Sequence, residues 1–484
     1  MFAICRFIDR IHLIIKLRTT FGYIEAFMRI LQKIFIPFFI STKLLFFCCF
    51  SAISFSKEVR ENLYFAQNKP IIPGLMEIQE TATPSDESAE GRFSLPPPPP
   101  IRENIPRVAI LLPLTGTHAK LGNALLNASK LALFHFHNKN FELLPQDTRG
   151  TPSGAAEAAR MAVSDGASLI LGPLFSDSVK AATEIANKTN VSILSFSNNR
   201  GVSTSKVFTM GLWPGEEVNR IIKYAMTKGN KKFALLAPKN QYGFIIKDEM
   251  EKTLKRAGLE IYNVAFFNPL ETDFGPKSWT GEIVKALTAF NLRKDRLAEQ
   301  KSLLKDGGDE KSKARLKRLN NMQTYGDLPF DALLVPAGGE RLRALAALLS
   351  YFDVDPKKTQ LLGTSLWDFQ TANSEPMLVG GWYSAPPKED RKLFIKDYTE
   401  MFGEGPPPRL ASLAYDATAI AAVFVQEDGS FDPRQLVTRQ GFGGKDGIFR
   451  FTKSGFAQRG LAVYQVLGKG NKTLDQAPKT FKDN

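Results

Sequence analysis

The sequence predicts an α/β protein with two doubly wound lobes, preceded by N-terminal extensions. From Pro106 onward, short apolar runs alternate with stretches whose apolar residues recur at helical spacing, the pattern of parallel strands joined by helices. Several apolar runs end in hydroxyl or amide residues, which is typical of strands that meet at the ligand-binding edge of such a sheet. At 484 residues the chain is too long for one compact domain, and its hydrophobic content of 43% suits substantial cores.

Residues 1–54 are predicted to form an N-terminal extension with a signal or anchor. From Met28 the chain has a basic start, an apolar stretch and then small residues at Ala52 and Ser54, as secretory signals do. This pattern predicts export to the periplasm. The signal is then either cleaved or retained as a membrane anchor. A further apolar and basic patch precedes Met28, so the start is either Met1 or Met28.

The three cysteines all lie in this extension. Phe46 and Phe47 precede Cys48, where a lipoprotein signal has small residues, so lipid attachment is disfavoured. The rest of the chain lacks cysteine, which excludes a disulfide and a thiol catalyst there and suits an exported protein.

Residues 55–105 lose all periodicity and are predicted to be a disordered, proline-rich tether. The run Pro96–Pro100 favours stiff polyproline II, which would hold the folded part away from a membrane or a partner. We favour a passive spacer over a ligand for an SH3-type domain, because the protein is predicted to be exported.

Lobe I is predicted to begin with residues 106–215. The run Val108–Leu112 is a buried strand, Pro113 starts a turn, and a helix follows over Ala124–Phe136. The Thr115 hydroxyl lies where the unpaired amides of that helix begin, which makes it a candidate ligand contact.

Two later corners of lobe I carry further polar groups. One strand leads into the sequence Gly-Pro-Leu-Phe-Ser, and the next leads into Ser-Phe-Ser-Asn-Asn. Because the carboxyl ends of parallel strands converge on one crevice, we expect the polar residues there to contact a ligand. These candidates are Ser176, Ser195, Ser197 and Asn199.

Lobe II is predicted over residues 216–381, as a second doubly wound sheet. Its strands include Phe233–Ala237 and Gln360–Leu362, each followed by a polar turn. These turns supply three more candidate ligand contacts, Tyr242, Thr364 and Ser365. A charged insertion over 293–318 holds ten basic and five acidic residues. It is predicted to be a solvated helical pair, with a docking surface for an acidic partner as the alternative.

The sequence favours no catalytic, metal or cofactor site. The stretch Gly441–Asp446 resembles a phosphate loop, but no Ser or Thr follows its lysine and no helix follows its glycines, so a hairpin turn is expected. His135 and His137 do not share one helix face, and Ser195 lacks a nucleophile-elbow sequence. The net charge of +14 comes with no nucleic-acid-binding motif. We therefore predict a non-catalytic binding protein without a cofactor.

An ordered set of motifs carries a family resemblance. VAILLPLTG, LILGPLFS, VSILSFSNN, NQYG, LLGTSLW, LAYDA and GGKDGIFRFTKSG occur in the order seen in type 1 periplasmic binding proteins of the leucine/isoleucine/valine-binding type. The resemblance covers Pro106–Val466. It implies two Rossmann-like lobes joined by three crossovers, with a small solute bound in the cleft between them.

The resemblance also implies how the chain continues after lobe II. Lobe I resumes over residues 382–440, and residues 441–470 return to lobe II. A closing hairpin of Gly447–Phe451 and Leu461–Val466 makes that return, and residues 471–484 form a tail.

In that family, hydroxyls and backbone amides of lobe I hold the ligand carboxylate. The matching positions here are Ser176, Ser197 and Asn199, of which Asn199 offers an amide in place of a hydroxyl. Tyr242 matches an aromatic residue of lobe II that closes over the ligand.

The sequence departs from the family pattern where amino-acid binders neutralise the ligand's ammonium. Thr364-Ser365 replaces their acidic residue, and Gly338-Gly339 stands where another tyrosine is common. A buried ammonium without an acidic partner is strongly disfavoured. Free amino acids are therefore expected to bind poorly unless one of two other acids, Asp368 or Glu340, reaches the ammonium.

A narrower resemblance leads to an alternative function. The tether, the charged insertion and the phrases FDALLVPAGGERLRALAALL, LLGTSLWD and LVGGWYSAP resemble the exported activators of penicillin-binding proteins. The broader resemblance predicts a receptor for a small amino-acid-like solute that works with a membrane ABC transporter. The narrower resemblance gives the alternative, an activator that uses the same fold to dock a peptidoglycan synthase.

Overall fold

The computed structural model describes residues 105–136, 141–306, 309–368 and 375–481. The predicted signal or anchor, the cysteines, nearly all of the tether and His137 lie outside these ranges. In the part of the chain that is described, no helix is both long and apolar enough to cross a membrane.

Lobe I is built on a five-stranded parallel sheet with the order β2-β1-β3-β4-β5. Its core strand β1 pairs with both β2 and β3, so that Leu112 lies beside Asp147 and Ile110 beside Leu171. The strands are β1 (Arg107–Leu112), β2 (Glu142–Asp147), β3 (Ala167–Leu171), β4 (Ser192–Ser195) and β5 (Val207–Thr209). The helices that join them are α1 (Ala119–His135), α2 (Pro152–Ser164) and α3 (Ser176–Thr189).

Helix α1 approaches the end of β1 unusually closely. A Cβ atom added at Gly122 would lie 2.0 Å from the carbonyl oxygen of Pro113. Only glycine fits at this position without a backbone shift. The turn after β1 is therefore shaped by a glycine as much as by its proline.

Lobe II is built on a seven-stranded sheet with the order β15-β14-β10-β9-β8-β6-β7. The strands β6 to β10 are parallel, whereas β14 and β15 are antiparallel additions at one edge. The strands are β6 (Phe233–Pro238), β7 (Ile261–Phe267), β8 (Ala332–Leu334), β9 (Gln360–Gly363), β10 (Trp382–Ala385), β14 (Ala462–Val466) and β15 (Asn471–Asp475). The helices are α4 (Pro214–Thr227), α5 (Gln241–Lys255), α6 (Trp279–Leu287), α7 (Phe290–Asp306), α8 (Glu310–Asn320) and α9 (Gly339–Tyr351).

The chain then returns to lobe I through helices α10 (Glu389–Phe402) and α11 (Ala411–Phe424). A separate three-stranded sheet follows, formed by β11 (Phe442–Gly444), β12 (Gly447–Phe451) and β13 (Ala457–Arg459). Phe449, Phe451 and Ala457 of this sheet are buried in the same core as α1, α10 and α11. The predicted two-lobed α/β architecture is confirmed, and the chain passes between the lobes near residues 210–214, 385–389 and 459–462.

Three details differ from the sequence prediction. The strand β10 belongs to the sheet of lobe II, although residues 382–440 were assigned to lobe I. The strand β12 pairs with β11 and β13 and packs on lobe I, so it does not form a hairpin with Leu461–Val466. Residues 471–475 form β15 instead of a free tail, because β14 leaves an edge that this strand pairs with.

The charged insertion forms the predicted helical pair, α7 and α8. Its base is buried in lobe II through Leu297 and Leu319, and the Arg293 guanidinium donates to the Asp353 carbonyl at 3.2 Å. The basic residues along α8 are exposed. The insertion is therefore a docked helical hairpin with a cationic outer face.

Candidate functional site

The corner after β4 is held together by two serines that were predicted to contact a ligand. Ser195 is fully buried, and its hydroxyl donates to the Pro173 carbonyl at 3.1 Å while accepting from the Ser197 amide at 3.0 Å. The Ser197 hydroxyl in turn accepts from the Asn199 amide at 3.1 Å. Both hydroxyls thus stabilise the loop, and their contribution to a ligand site is to position it.

Two further candidates of lobe I also have internal partners. The Asn199 side chain accepts from the Gly201 amide at 2.9 Å and caps a short 3-10 helix. The Thr115 hydroxyl donates to a carboxylate oxygen of Asp147 at 2.5 Å, which joins the corners after β1 and β2. The polar corners are therefore linked to one another across the edge of the sheet.

Ser176 occupies a different kind of position. It is the first residue of α3 and is half-buried, and the residue before it, Phe175, offers no side-chain acceptor to the helix. The unpaired amides of a first helical turn favour an anion such as a carboxylate. Of the lobe I candidates, Ser176 is the one whose surroundings best suit direct contact with a ligand.

The three candidates of lobe II converge at the carboxyl edge of its sheet. Tyr242, in the first turn of α5, lies with its hydroxyl 3.2 Å from the Thr364 hydroxyl, which follows β9. Ser365 is the next residue, and Thr364 is fully buried. The grouping of Tyr242 with Thr364-Ser365, which are far apart in sequence, follows from the parallel order of β6, β8 and β9.

A carboxylate that the sequence analysis did not select lies in this group. Glu217 is 4% exposed, and the Ser365 amide donates to its Oε1 at 2.7 Å. Burial raises the pKa of Glu217 to about 7, against the lowering effect of Ser365 and Arg409. Burial, together with the negative charge of Glu217, also raises the pKa of Tyr242.

Glu217 gave no distinctive sequence signal because it lies in the first turn of α4. Acidic residues are common there, since they interact favourably with the positive end of the helix dipole. What identifies Glu217 is its burial and the loop it faces, which only the folded chain shows.

The two acids considered from the sequence are both engaged elsewhere. Asp368 accepts from the Tyr383 hydroxyl at 2.8 Å and forms ion pairs with Lys388 at 2.5 Å and Arg409 at 2.8 Å. Glu340 is 79% exposed and pairs with Arg343 at 2.8 Å. Asp368 is therefore held by two cations, whereas Glu340 remains largely exposed to solvent.

A second acidic residue of α4 links the lobes. Glu216 accepts from the Arg200 guanidinium at 2.7 Å and from the Arg459 amide at 3.1 Å. The Arg200 guanidinium also lies 3.6 Å from the ring centroid of Trp213 and 3.9 Å from that of Phe456. Burial raises the pKa of Glu216 to about 7 despite the neighbouring Arg200. These contacts fix the first crossover against the third.

Comparison with known proteins identifies the fold. Residues 106–279 match the family model described as periplasmic binding protein. The structure of an ABC transporter substrate-binding protein from Sphaerobacter thermophilus matches with a TM-score of 0.57 at 18% identity, covering 78% of this chain and 98% of that one. The chain has the fold of a type 1 periplasmic binding protein. The resemblance stated from the sequence motifs is confirmed at this level.

Two curated proteins also match this chain in sequence. The leucine-, isoleucine-, valine-, threonine- and alanine-binding protein of Pseudomonas aeruginosa is 24% identical over 318 residues, which cover 63% of this chain and 80% of that protein. An uncharacterized protein of Rickettsia prowazekii is 26% identical over 160 residues, or 33% of this chain. The match spans 43% of the Rickettsia protein, less than half of its length.

The remaining sequence expectations concern enzymatic and metal chemistry. Gly441–Asp446 contributes β11 and the turn into β12, so the stretch is a hairpin turn as predicted. The His135 ring nitrogen lies 2.8 Å from the Tyr415 hydroxyl. Within the described ranges, no group of three or more His, Cys, Asp or Glu residues is arranged to hold a metal ion.

Proposed function

We propose that this chain binds a small, amino-acid-like carboxylate in the cleft between its lobes, as the substrate-binding component of an ABC transporter in the periplasm. The observation that carries the proposal is the convergence of Tyr242, Thr364, Ser365 and Glu217 at the edge of the lobe II sheet. In this fold, solutes bind where the carboxyl ends of the strands face the crevice between the lobes. The Pseudomonas relative, named for the amino acids that it binds, supports the same class of solute.

Each lobe supplies a different part of the recognition. Ser176 and the first amides of α3 suit the solute carboxylate, because both donate hydrogen bonds to a negative group. Tyr242 offers a ring face and a hydroxyl from lobe II. Weak binding of free amino acids is part of this proposal, and it is supported by the ion pairs of Asp368 and by the hydrogen bond that Glu217 accepts from Ser365.

A thermal melt of the full-length chain against paired solutes tests this proposal. L-leucine, L-isoleucine and L-valine would each be compared with the 2-hydroxy acid of the same side chain, which keeps the carboxylate and lacks the ammonium. A solute at a hundredfold its Kd adds about 2.7 kcal/mol to the free energy of unfolding and raises the Tm by several degrees. We expect the hydroxy acids to raise the Tm at least as much as the amino acids.

Two outcomes of that melt would count against the proposal in different ways. A shift with amino acids alone would show that an acid, with Glu217 as the first candidate, neutralises the ammonium. No shift with any carboxylate would contradict solute binding itself.

A second candidate function is the activation of a penicillin-binding protein. The observation that favours it is the cationic outer face of α8, where Lys311, Lys317 and Arg318 are exposed. Replacing these three residues by Glu would leave the buried base of the insertion intact. If the chain activates a peptidoglycan synthase, the variant should lose stimulation of glycan polymerisation while its solute-dependent Tm shifts stay unchanged.

A further inference from the structure

A cavity lies on lobe I, and none of the predicted ligand contacts lines it. Its volume is about 640 Å³, and its walls come from the end of α1, from α10 and α11, and from β11. Most of the lining is apolar, with Ile420 buried in the wall. Leu393 and Val423 are exposed by 64% and 52%. A concave, mostly apolar cavity of this size is typical of small-molecule sites.

A buried carboxylate lies in the wall of this cavity. Asp416, on α11, is 4% exposed, and its Oδ1 accepts from the Lys445 amide at 2.9 Å. Its Oδ2 is buried and has no hydrogen-bond partner among the described residues. Such an oxygen loses its hydration without compensation, which destabilises the ionised form. Burial accordingly raises the pKa of Asp416 to about 7, against the lowering effect of the Arg459 charge.

The other polar groups of the cavity leave that oxygen unpaired. The Lys445 ammonium lies 4.4 Å from the ring centroid of Tyr415, where it makes a cation–π contact. The Tyr415 hydroxyl lies against His135. Asp390 adds a second carboxylate at an exposed position. The cavity thus combines apolar walls with two carboxylates and one ammonium that is held against an aromatic ring.

The strand that covers Asp416 is an edge strand with glycines at its end. A Cβ atom added at Gly444 would lie 2.4 Å from Oδ2, so this glycine packs directly on the carboxylate. The strand β11 pairs with β12 along one side only, and the neighbouring Gly443 is exposed. Gly443, Gly444 and Asp416 all line the cavity, so a ligand that reaches Oδ2 must displace this strand end.

We propose that this cavity binds a small amphipathic organic ammonium ion, with its apolar body against Ile420 and Val423 and its ammonium donating to Asp416 Oδ2. An ammonium supplies the donor that this oxygen lacks, and charge-assisted hydrogen bonds are stronger than neutral ones. The apolar walls stabilise the rest of the ligand, because they remove its apolar surface from water. The site is independent of the cleft between the lobes.

Calorimetric titration of the full-length chain with three probes of one shape tests the proposal. The probes are 2-phenylethylammonium, 2-phenylethanol and 3-phenylpropanoate, which differ in the charge of the head group. We expect saturable binding of the ammonium, at least tenfold weaker binding of the alcohol and no binding of the carboxylate. Equal affinities for the ammonium and the alcohol would overturn the proposal, because the Asp416 carboxylate would then play no part in binding.

Variants locate the binding. Asp416→Asn should lower the affinity for the ammonium probe at least tenfold, to the level of the affinity for the alcohol probe. Val423→Trp changes an exposed helical position and should block the cavity, so it tests the site even if Asp416→Asn fails to fold. Met161→Trp, at another exposed helical position of lobe I, is the matched control and should bind as the wild type does. Unchanged affinity in Val423→Trp would place the ligand elsewhere and refute the site.

Discussion

Asp368 of lobe II and Arg409 of lobe I form an ion pair across the two lobes, with 2.8 Å between Oδ2 and Nη1. Asp368 follows β9, whereas Arg409 lies just before α11. The same guanidinium lies 3.6 Å from Asp446 in the turn between β11 and β12, and Asp368 also pairs with Lys388 at the second crossover. This network holds the lobes at one relative position beside the cleft.

Removing the charge of Asp368 should therefore loosen the connection between the lobes. Asp368 is 11% exposed and Arg409 is 30% exposed, so Asp368→Asn removes a charge that two partly buried cations share. We expect the free energy of unfolding to fall by about 2 kcal/mol and the radius of gyration in small-angle scattering to increase. Asp177→Asn is the control, because its exposed pair with Lys180 should change stability by less than about 0.5 kcal/mol. An unchanged radius of gyration would show that this ion pair does not hold the lobes.

The serines of lobe I should separate into structural and binding roles. Ser195→Ala removes a buried hydroxyl that both donates and accepts, so it should lower the free energy of unfolding by about 1–3 kcal/mol. Ser176→Ala should change stability little and should weaken solute binding instead. Denaturant unfolding combined with solute titration distinguishes the two effects, and a loss of affinity in Ser195→Ala without a loss of stability would reverse the assignment.

Glu217 should make stability fall as the pH rises from about 5 to 8. Burial raises its pKa from the ordinary 4.5 to about 7, so in this window the folded state binds more protons than the unfolded state. Glu217→Gln removes this dependence and should be more stable than the wild type at pH 8, on the order of 1.4 kcal/mol for each unit of the pKa shift. At pH 4 the two proteins should be equally stable.

The comparison with Glu217→Gln isolates one carboxyl. Glu216 and Asp416, whose pKa values burial also raises to about 7, remain in both proteins. Parallel stability curves for the wild type and Glu217→Gln between pH 5 and 8 would show that Glu217 does not titrate in this range.

Gly122 should tolerate no side chain. In Gly122→Ala the new Cβ meets the Pro113 carbonyl, so the backbone must shift, and we expect a loss of about 2–3 kcal/mol despite the better helix propensity of alanine. Gly405→Ala is the matched control, because a Cβ there has no neighbour within 4 Å. Thermal melts of both variants compare the positions directly. Equal stability of the two would mean that α1 adapts without strain.

The order of strands and helices could be predicted from the sequence because hydrophobic periodicity reports it directly. The pairing of β10 with β9 and β14 could not be predicted, because a buried strand of four residues carries no information about which sheet it joins. The same holds for β12, whose alternating burial suits either lobe.

Side-chain roles at the strand ends were less predictable than the strands themselves. A serine after a strand is equally suited to a ligand and to its own loop, and Ser195 and Ser197 bond within the loop. The convergence of Tyr242 with Thr364 followed from parallel strand order. The burial of Glu217 depends on contacts with Ser365 and Ser384, which lie 148 and 167 positions further along the chain. No local sequence pattern encodes such contacts.

Calorimetric titration of the full-length chain with L-leucine and its 2-hydroxy acid tests whether a solute binds between the lobes. We expect saturable binding of at least the hydroxy acid, with about tenfold weaker binding in Tyr242→Phe and in Ser176→Ala and no change in Met161→Trp. Absence of binding by both solutes, or equal affinity in the wild type and both cleft variants, would contradict a solute site between the lobes.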